Sequence, residues 1–379
     1  MSSATLIFGL EAVLLWARDA GLVADTCGER RLAAMQLEVL ASGALPQGNL
    51  ADVALTAQWA AFICWVDDHI DRRSLGSVPG ELEQFTAPLR HVLAPGKELS
   101  TVTAPHAMVL ARLWERTAEG MSTRWCERFT VDYTDFLDAT EEEVTLRRAG
   151  ARLALAAYLE LRRRTITLLP MLDVLERTGH AHLVESPQVD AQLRDLRWAV
   201  ADVVGWANDL ASQTDDEAVG QDNLVALLSR QDCCPATAAR VRVATMIKER
   251  RAAFHATAAA LRTALGLPQD QLEDLRRYVD LVERFMAATL HWLANTGRFT
   301  PNSASPLTQL HPQLSRSPSS TSSCSSEKLC TSSTAAAADT AAAAIPPTAW
   351  ALSRTSVGRI ALPPLACSCW PCWFHQPKW

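Results

Sequence analysis

The chain has 379 residues, of which 48% are hydrophobic and 21% charged. That balance excludes general disorder and leaves enough apolar material for a large core. Only 16 Gly and 3 Tyr argue against a sandwich or barrel, and a net charge of −6 offers no basic face for nucleic acid.

The chain starts with an apolar stretch, Ala4 to Trp16, interrupted by Glu11. It is shorter than the ~20 residues a membrane span needs, and it lacks the basic leader of a signal peptide. No segment reads as transmembrane. Cys27, Cys64, Cys126, Cys233 and Cys234 follow no framework spacing and read as reduced thiols. A cytoplasmic protein without stable membrane insertion is expected.

Residues 4–299 read as helix after helix, dominated by Ala, Leu, Arg and Glu. Leu6, Leu10 and Leu14 keep helical spacing, and residues 51–66 are apolar almost all round, as in a buried helix. Breaks are expected at Gly43–Asn49, Leu75–Gly80, Ala94–Gly96, Cys234-Pro235 and Gly266–Pro268. The expected fold is all-α: one bundle of about ten helices over residues 1–300.

The remainder, 301–379, is a different kind of sequence. Residues 300–379 carry a net charge of +3, which leaves −9 for residues 1–299. Ser/Thr/Pro-rich and then Ala-rich stretches predict a disordered tail. Cys369-Trp370-Pro371-Cys372 has a C-x-x-C spacing, but no strand–helix context or second ligand pair supports a redox or zinc site.

Two acidic groups stand at the ends of apolar helices. In Phe62-Ile63-Cys64-Trp65-Val66-Asp67-Asp68-His69-Ile70-Asp71, Asp67 and Asp71 are four apart and share a face. Their mutual repulsion would be relieved by a hard cation such as Mg²⁺, which takes carboxylate oxygens and favours phosphate. The alternative is a solvated acidic helix end. In Asn208-Asp209-Leu210-Ala211-Ser212-Gln213-Thr214-Asp215-Asp216, the residues Asn208, Ser212 and Asp216 are also four apart. An amide oxygen, a hydroxyl and a carboxylate on one face suit one Mg²⁺ equally well. A polar helix end with a capping side chain is the competing explanation.

DDxxD followed by NDxxSxxxD, both on apolar helices, resembles a bacterial-type class I terpene synthase. The likeness covers about residues 4–299. Arg162 lies 46 residues before Asn208, the family's spacing for its diphosphate-sensing arginine. Asp222-Asn223-Leu224-Val225 also looks similar, and Arg298-Phe299 resembles the family's terminal Arg-Tyr element. Two positions depart from the pattern: Asp215 stands where a basic residue is usual, and Phe299 replaces the tyrosine.

The resemblance implies ionisation of a linear prenyl diphosphate and cyclisation of the cation. It implies three Mg²⁺ ions, with Mn²⁺ as an admissible substitute. Asp67, with Asp71 as the further candidate, would hold two of them. Asn208, Ser212 and Asp216 would hold the third. Arg162 and Arg298 would bind the diphosphate bidentately, with Arg163 as the fallback for Arg162. Asp68 would orient its neighbours. Phe62 is the preferred aromatic substrate contact among Phe62, Trp65, Phe136, Tyr158, Trp198, Trp206, Trp292 and Phe299, each of which ordinary core packing would also explain.

Family habit points to farnesyl diphosphate, with geranyl or geranylgeranyl diphosphate as alternatives, and leaves a homodimer admissible. A chain-elongating prenyl transferase is disfavoured because Asn208 and Ser212 stand where that group carries a second DDxxD. A noncatalytic helical relative is the competing class.

Overall fold

A computed structural model describes residues 3–72, 80–96, 98–183 and 186–299. The chain divides into two units, Met1–Ser319 and Ser320–Trp379, and the second lies wholly outside the described residues. The expectations for residues 301–379, the C-x-x-C included, fall there.

Among the described residues there are thirteen α-helices and no strand: α1 (Ser3–Asp19), α2 (Thr26–Met35), α3 (Leu37–Ala44), α4 (Leu50–Arg72), α5 (Glu81–Leu93), α6 (Pro105–Ala118), α7 (Thr123–Arg148), α8 (Leu155–Thr165), α9 (Leu168–Thr178), α10 (Asp190–Val219), α11 (Leu224–Gln231), α12 (Ala236–Arg262) and α13 (Gln269–Asn295). The turn clusters read from the sequence fall between helices where they are described, except that Gly43 and Ala44 form the end of α3. The surplus over ten comes partly from two breaks without Gly or Pro. Gln36 (φ 54°) separates α2 from α3, and Thr167 (φ 61°) separates α8 from α9. A β-branched residue in that region is strained by roughly 1–3 kcal/mol.

Polar side chains close several helix starts. Asp25, Ser122 and Asn223 accept backbone N–H bonds at the starts of α2, α7 and α11. α4 and α10 are the buried axes of the bundle: Trp59, Phe62 and Val66 on α4, and Ala199, Val200, Val203 and Ala207 on α10, have no measurable exposure. By length and composition Leu50–Ile70 could cross a membrane, contrary to the expectation that no segment has that character, yet 61% of its apolar window is buried within the protein.

A buried ionic chain ties four helices together. Arg128 of α7 donates to Asp173 (2.8 Å) and to Glu176 of α9. Arg197 of α10 donates to Asp173 (2.7 Å), to Asp132 of α7 (2.6 Å) and to the Tyr278 hydroxyl of α13 (3.3 Å). Removing one member would strand buried charge, so this cluster fixes how α7, α9 and α10 pack against one another.

Candidate active site

A cavity of about 600 Å³ opens among α4, α8, α9, α10 and α13. That is within the ~300–1,000 Å³ of small-molecule sites. Each helix contributes a stripe at helical spacing. α4 gives Ala60, Ile63, Cys64, Asp67 and Asp68; α10 gives Val204, Asn208, Ser212, Asp215 and Asp216; α13 gives Phe285, Thr289, Trp292 and Leu293. The floor is apolar, with Leu37, Leu40, Leu168 and Met171, and the mouth is acidic and arginine-bearing.

The two sequence motifs meet on this cavity. On the α4 side, Arg298 donates to Asp67 Oδ2 (2.6 Å) and Asp68 Oδ1 (3.1 Å), and its guanidinium lies 5.6 Å from the Phe299 ring. Asp67 is half-exposed at the mouth, whereas Arg298 is buried. Asp71 is in the last turn of α4, but its side chain lies outside the described residues.

On the α10 side, Ser212 donates to Asp216 Oδ2 (2.6 Å) and to the Asn208 carbonyl (3.0 Å). Asn208, Ser212 and Asp216 therefore form one continuous face, as their spacing predicts. Burial pushes the Asp216 carboxyl up to about 6, against lowering hydrogen bonds from Ser212 and Asn223. All these donors are hard oxygens, and the half-desolvated carboxylate among them favours a cation. The residues present thus fit a divalent metal. Among the described residues no group of three His, Cys, Asp or Glu converges as a metal site, in keeping with a triad that has one carboxylate.

Arg162 is the arginine of its run that faces the cavity. Its Nε donates to Asp209 Oδ1 (2.8 Å) and its Nη2 to Asn208 Oδ1 (2.8 Å). Burial acts to lower the pKa of the guanidinium, but Asp209, Tyr158, Glu143 and Asp216 together outweigh it and the net shift is upward. Arg163 turns to Asp202 (2.7 and 3.1 Å) and lies over the Trp198 ring, and Arg164 turns to Asp135 and Glu142. The fallback choice of Arg163 is thereby removed: successive residues on α8 diverge by about 100°.

Phe62 does not reach the cavity. It packs edge-on against Trp59 and parallel to Trp65, one position off the Ile63–Asp67 stripe, and has no exposure. Trp292 and Phe299 line the cavity instead, joined by Phe285, which the sequence reading did not single out. Phe285 is seven residues before Trp292, two turns down the same face. Of the other aromatic candidates, Tyr158 serves the polar network and Trp198 lies under arginines on the outside.

Two further residues without an assigned role organise the mouth. Asp209 is 1% exposed and accepts from the Tyr158 hydroxyl (2.7 Å), Arg162 Nε and the Leu224 amide (3.2 Å). Asn223 caps α11 through Val225 N and donates to Asp216 Oδ2 (2.7 Å) and the Asp209 carbonyl (2.9 Å). The Asp222–Val225 stretch therefore earns its likeness by bracing α10. Cys64 also lines the cavity, and burial raises its thiol to about 11, so it is a neutral wall residue; it and the four other described cysteines are free.

Comparison with known proteins agrees with this geometry. The family model for terpene synthase family 2, C-terminal metal binding, matches residues 58–253, a little over half of the chain. The (−)-β-caryophyllene synthase of Saccharothrix espanaensis is 26% identical over 77% of this chain and 84% of its own length. Pristinol synthase of Streptomyces pristinaespiralis is 27% identical over 76% and 78%. The crystal structure of linalool/nerolidol synthase from Streptomyces clavuligerus superposes with a TM-score of 0.69 at 25% identity, covering 76% of this chain and 98% of that one. The matched span runs from the helix of Asp67 through the arginine of α8 to the helix of Asn208, Ser212 and Asp216, and the chain belongs to the terpene synthases of family 2 as an enzyme of the bacterial class I type.

Proposed function

We propose that this enzyme uses Mg²⁺ to ionise farnesyl diphosphate and cyclise the resulting cation to a sesquiterpene, releasing diphosphate. The observation that carries the reading is the convergence of Asp67, Arg298, Arg162 and the Asn208–Ser212–Asp216 face on the mouth of one largely apolar cavity. Relatives named as cyclising (2E,6E)-farnesyl diphosphate support the chain length.

Bound Mg²⁺, three ions in this reading, supplies positive charge that stabilises the diphosphate as its carbon–oxygen bond breaks. Asp67 and the α10 triad would hold it, with Asp71 assigned to the same role. Arg162 and Arg298 bind diphosphate oxygens, a task for which a planar guanidinium is suited. Arg298 already spans Asp67 and Asp68, so it stands where leaving-group charge collects. The bond's electron pair leaves with the diphosphate, and the allylic cation stays in the apolar chamber until the cyclised cation loses a proton to give a hydrocarbon, or adds one water and loses its proton to give an alcohol. Leu37, Leu40, Leu168 and Met171 exclude water there, and the rings of Phe285, Trp292 and Phe299 stabilise positive charge by roughly 0.5–2 kcal/mol each.

Gas chromatography–mass spectrometry of the full chain with Mg²⁺ and farnesyl, geranyl or geranylgeranyl diphosphate tests the proposal. A cyclic C15 hydrocarbon or alcohol from farnesyl diphosphate is the expected result. Cyclic product from only one of the other two would overturn the chain length, and no product from any would overturn the activity.

A further inference from the structure

The mouth of the cavity carries more negative than positive charge. Asp67, Asp68, Asp209, Asp215, Asp216 and Asp222 line it, against Arg31, Arg162 and Arg298. Arg162 is tied to Asp209, and Arg298 to Asp67 and Asp68. Arg31 differs: it is exposed, lines the cavity and makes no hydrogen bond or ion pair with the described residues.

Arg31 is held at the rim by its helix, not by its own side chain. The start of α2 is tied to α1 by Arg18 and Glu29, which form two parallel N–H···O bonds (2.5 and 2.7 Å). At the other end of α2 the unpaired carbonyls are capped by the segment that carries Arg298. Gly297 N donates to the Ala34 carbonyl (2.9 Å), and Thr296 Oγ1 (3.0 Å) and Trp292 Nε1 donate to the Met35 carbonyl. Gly297 permits this approach, since a Cβ there would meet the Ala34 oxygen at 3.0 Å. Arg31 precedes Ala34 by three residues and Met35 by four, so it shares the face of α2 that the Arg298 segment covers. The helix thus carries a cation to the same cavity lining as Gly297 and Arg298, while its guanidinium stays open to solvent and to whatever fills the mouth.

We propose that Arg31 is a third diphosphate-binding arginine, supplying positive charge from α2 to a mouth where carboxylates outnumber arginines. This rests on the reading of the mouth as a diphosphate site. The proposal predicts an effect on ground-state capture and little on the chemical step, because Arg31 is at the open rim, where solvent screens its charge.

The experiment is titration of the full chain with inorganic diphosphate at fixed Mg²⁺, together with steady-state kinetics on the prenyl diphosphate. Arg31→Gln should weaken diphosphate and raise KM about fivefold with kcat nearly unchanged, the size expected of a solvent-screened ion contact. Arg31→Lys should recover part of the loss. Arg30→Gln removes an adjacent exposed charge whose Nε bonds the Thr26 carbonyl, and it should leave both constants unchanged. Wild-type constants in Arg31→Gln, or equal losses in Arg31→Gln and Arg30→Gln, would overturn the role of Arg31 while leaving the diphosphate site standing. If wild type binds no diphosphate with Mg²⁺, the site reading fails and the proposal with it.

Discussion

Asp209→Asn is the sharpest perturbation of the polar network, because it keeps the side chain's shape and removes its charge. Asp209 is 1% exposed and its partner Arg162 13% exposed, so the pair is largely out of water. An amide has one oxygen. If that oxygen serves Tyr158 and Leu224, the amide nitrogen faces the Arg162 donor; if it serves Arg162, the nitrogen faces the Leu224 N–H. Either way a buried donor is left opposed, and the arginine's charge loses its counterpart. Breaking a buried pair from one side costs about 3–5 kcal/mol. At about 2 °C per kcal/mol for a unit of this size, the melting temperature should fall by roughly 6–10 °C. With Arg162 no longer aligned, kcat/KM should fall by about 10²–10³, the usual loss for one oxyanion-stabilising donor. Tyr158→Phe removes a single hydrogen bond from the same carboxylate, leaves the pair intact and should cost about 1 kcal/mol. Thermal melts by circular dichroism read the first effect, and steady-state kinetics with a diphosphate titration in Mg²⁺ read the second. An Asp209→Asn protein that melts within about 2 °C of wild type and binds diphosphate as tightly would refute the positioning role.

Within the arginine run, Arg162→Ala should lower kcat/KM by about 10²–10³. Arg163→Ala should cost about 1.5–3 kcal/mol of stability, because buried Asp202 keeps Arg250 as its other partner, and should leave turnover within about twofold, as steady-state kinetics and urea melts of both variants will show. Asn223→Ala should lose about 0.5–2 kcal/mol from the α11 cap and also weaken Mg²⁺, because Asp216 loses one of its two hydrogen-bond donors; isothermal titration with the metal checks the second effect. Burial raises the Asp216 carboxyl to about 6, above its unfolded value of 3.8, so its contribution to metal-free stability is full below about pH 4 and is lost as pH rises through about 6. Metal binding requires the ionised form, so the Mg²⁺-induced rise in melting temperature should be small at about pH 5 and complete above about pH 7; a rise independent of pH would contradict the burial argument.

The polar face of α10 was legible in the sequence because a helix turns spacing into geometry. Asn208, Ser212 and Asp216 at four-residue intervals had to share a side, and they do. The choice of Arg162 came from its spacing to Asn208, and the packing of α8 on α10 supplies the reason: Asp209 and Asn208 capture it while Asp202 takes Arg163. Phe62 is close to Asp67 along α4 but not in space: a 100° step separates it from the Ile63–Asp67 stripe. The breaks at Gln36 and Thr167 carry no Gly or Pro, so tertiary packing overrides local preference there. Arg31 was invisible for the same kind of reason. Its place at the rim comes from the docking of residues 292–297 on the end of α2, more than 250 residues away in sequence.

In the proposed reaction the two helix-borne oxygen clusters act together, with metal, to expel diphosphate. Diphosphate release from farnesyl diphosphate by the full chain, followed while Mg²⁺ is added and then removed with EDTA, tests it most directly, with Asp67→Ala and Asn208→Ala in parallel. One diphosphate released per substrate consumed, only with Mg²⁺ present and at least about a hundredfold more slowly in each variant, is the predicted result. Release that continues in EDTA, or that proceeds at the wild-type rate in both variants, would contradict it.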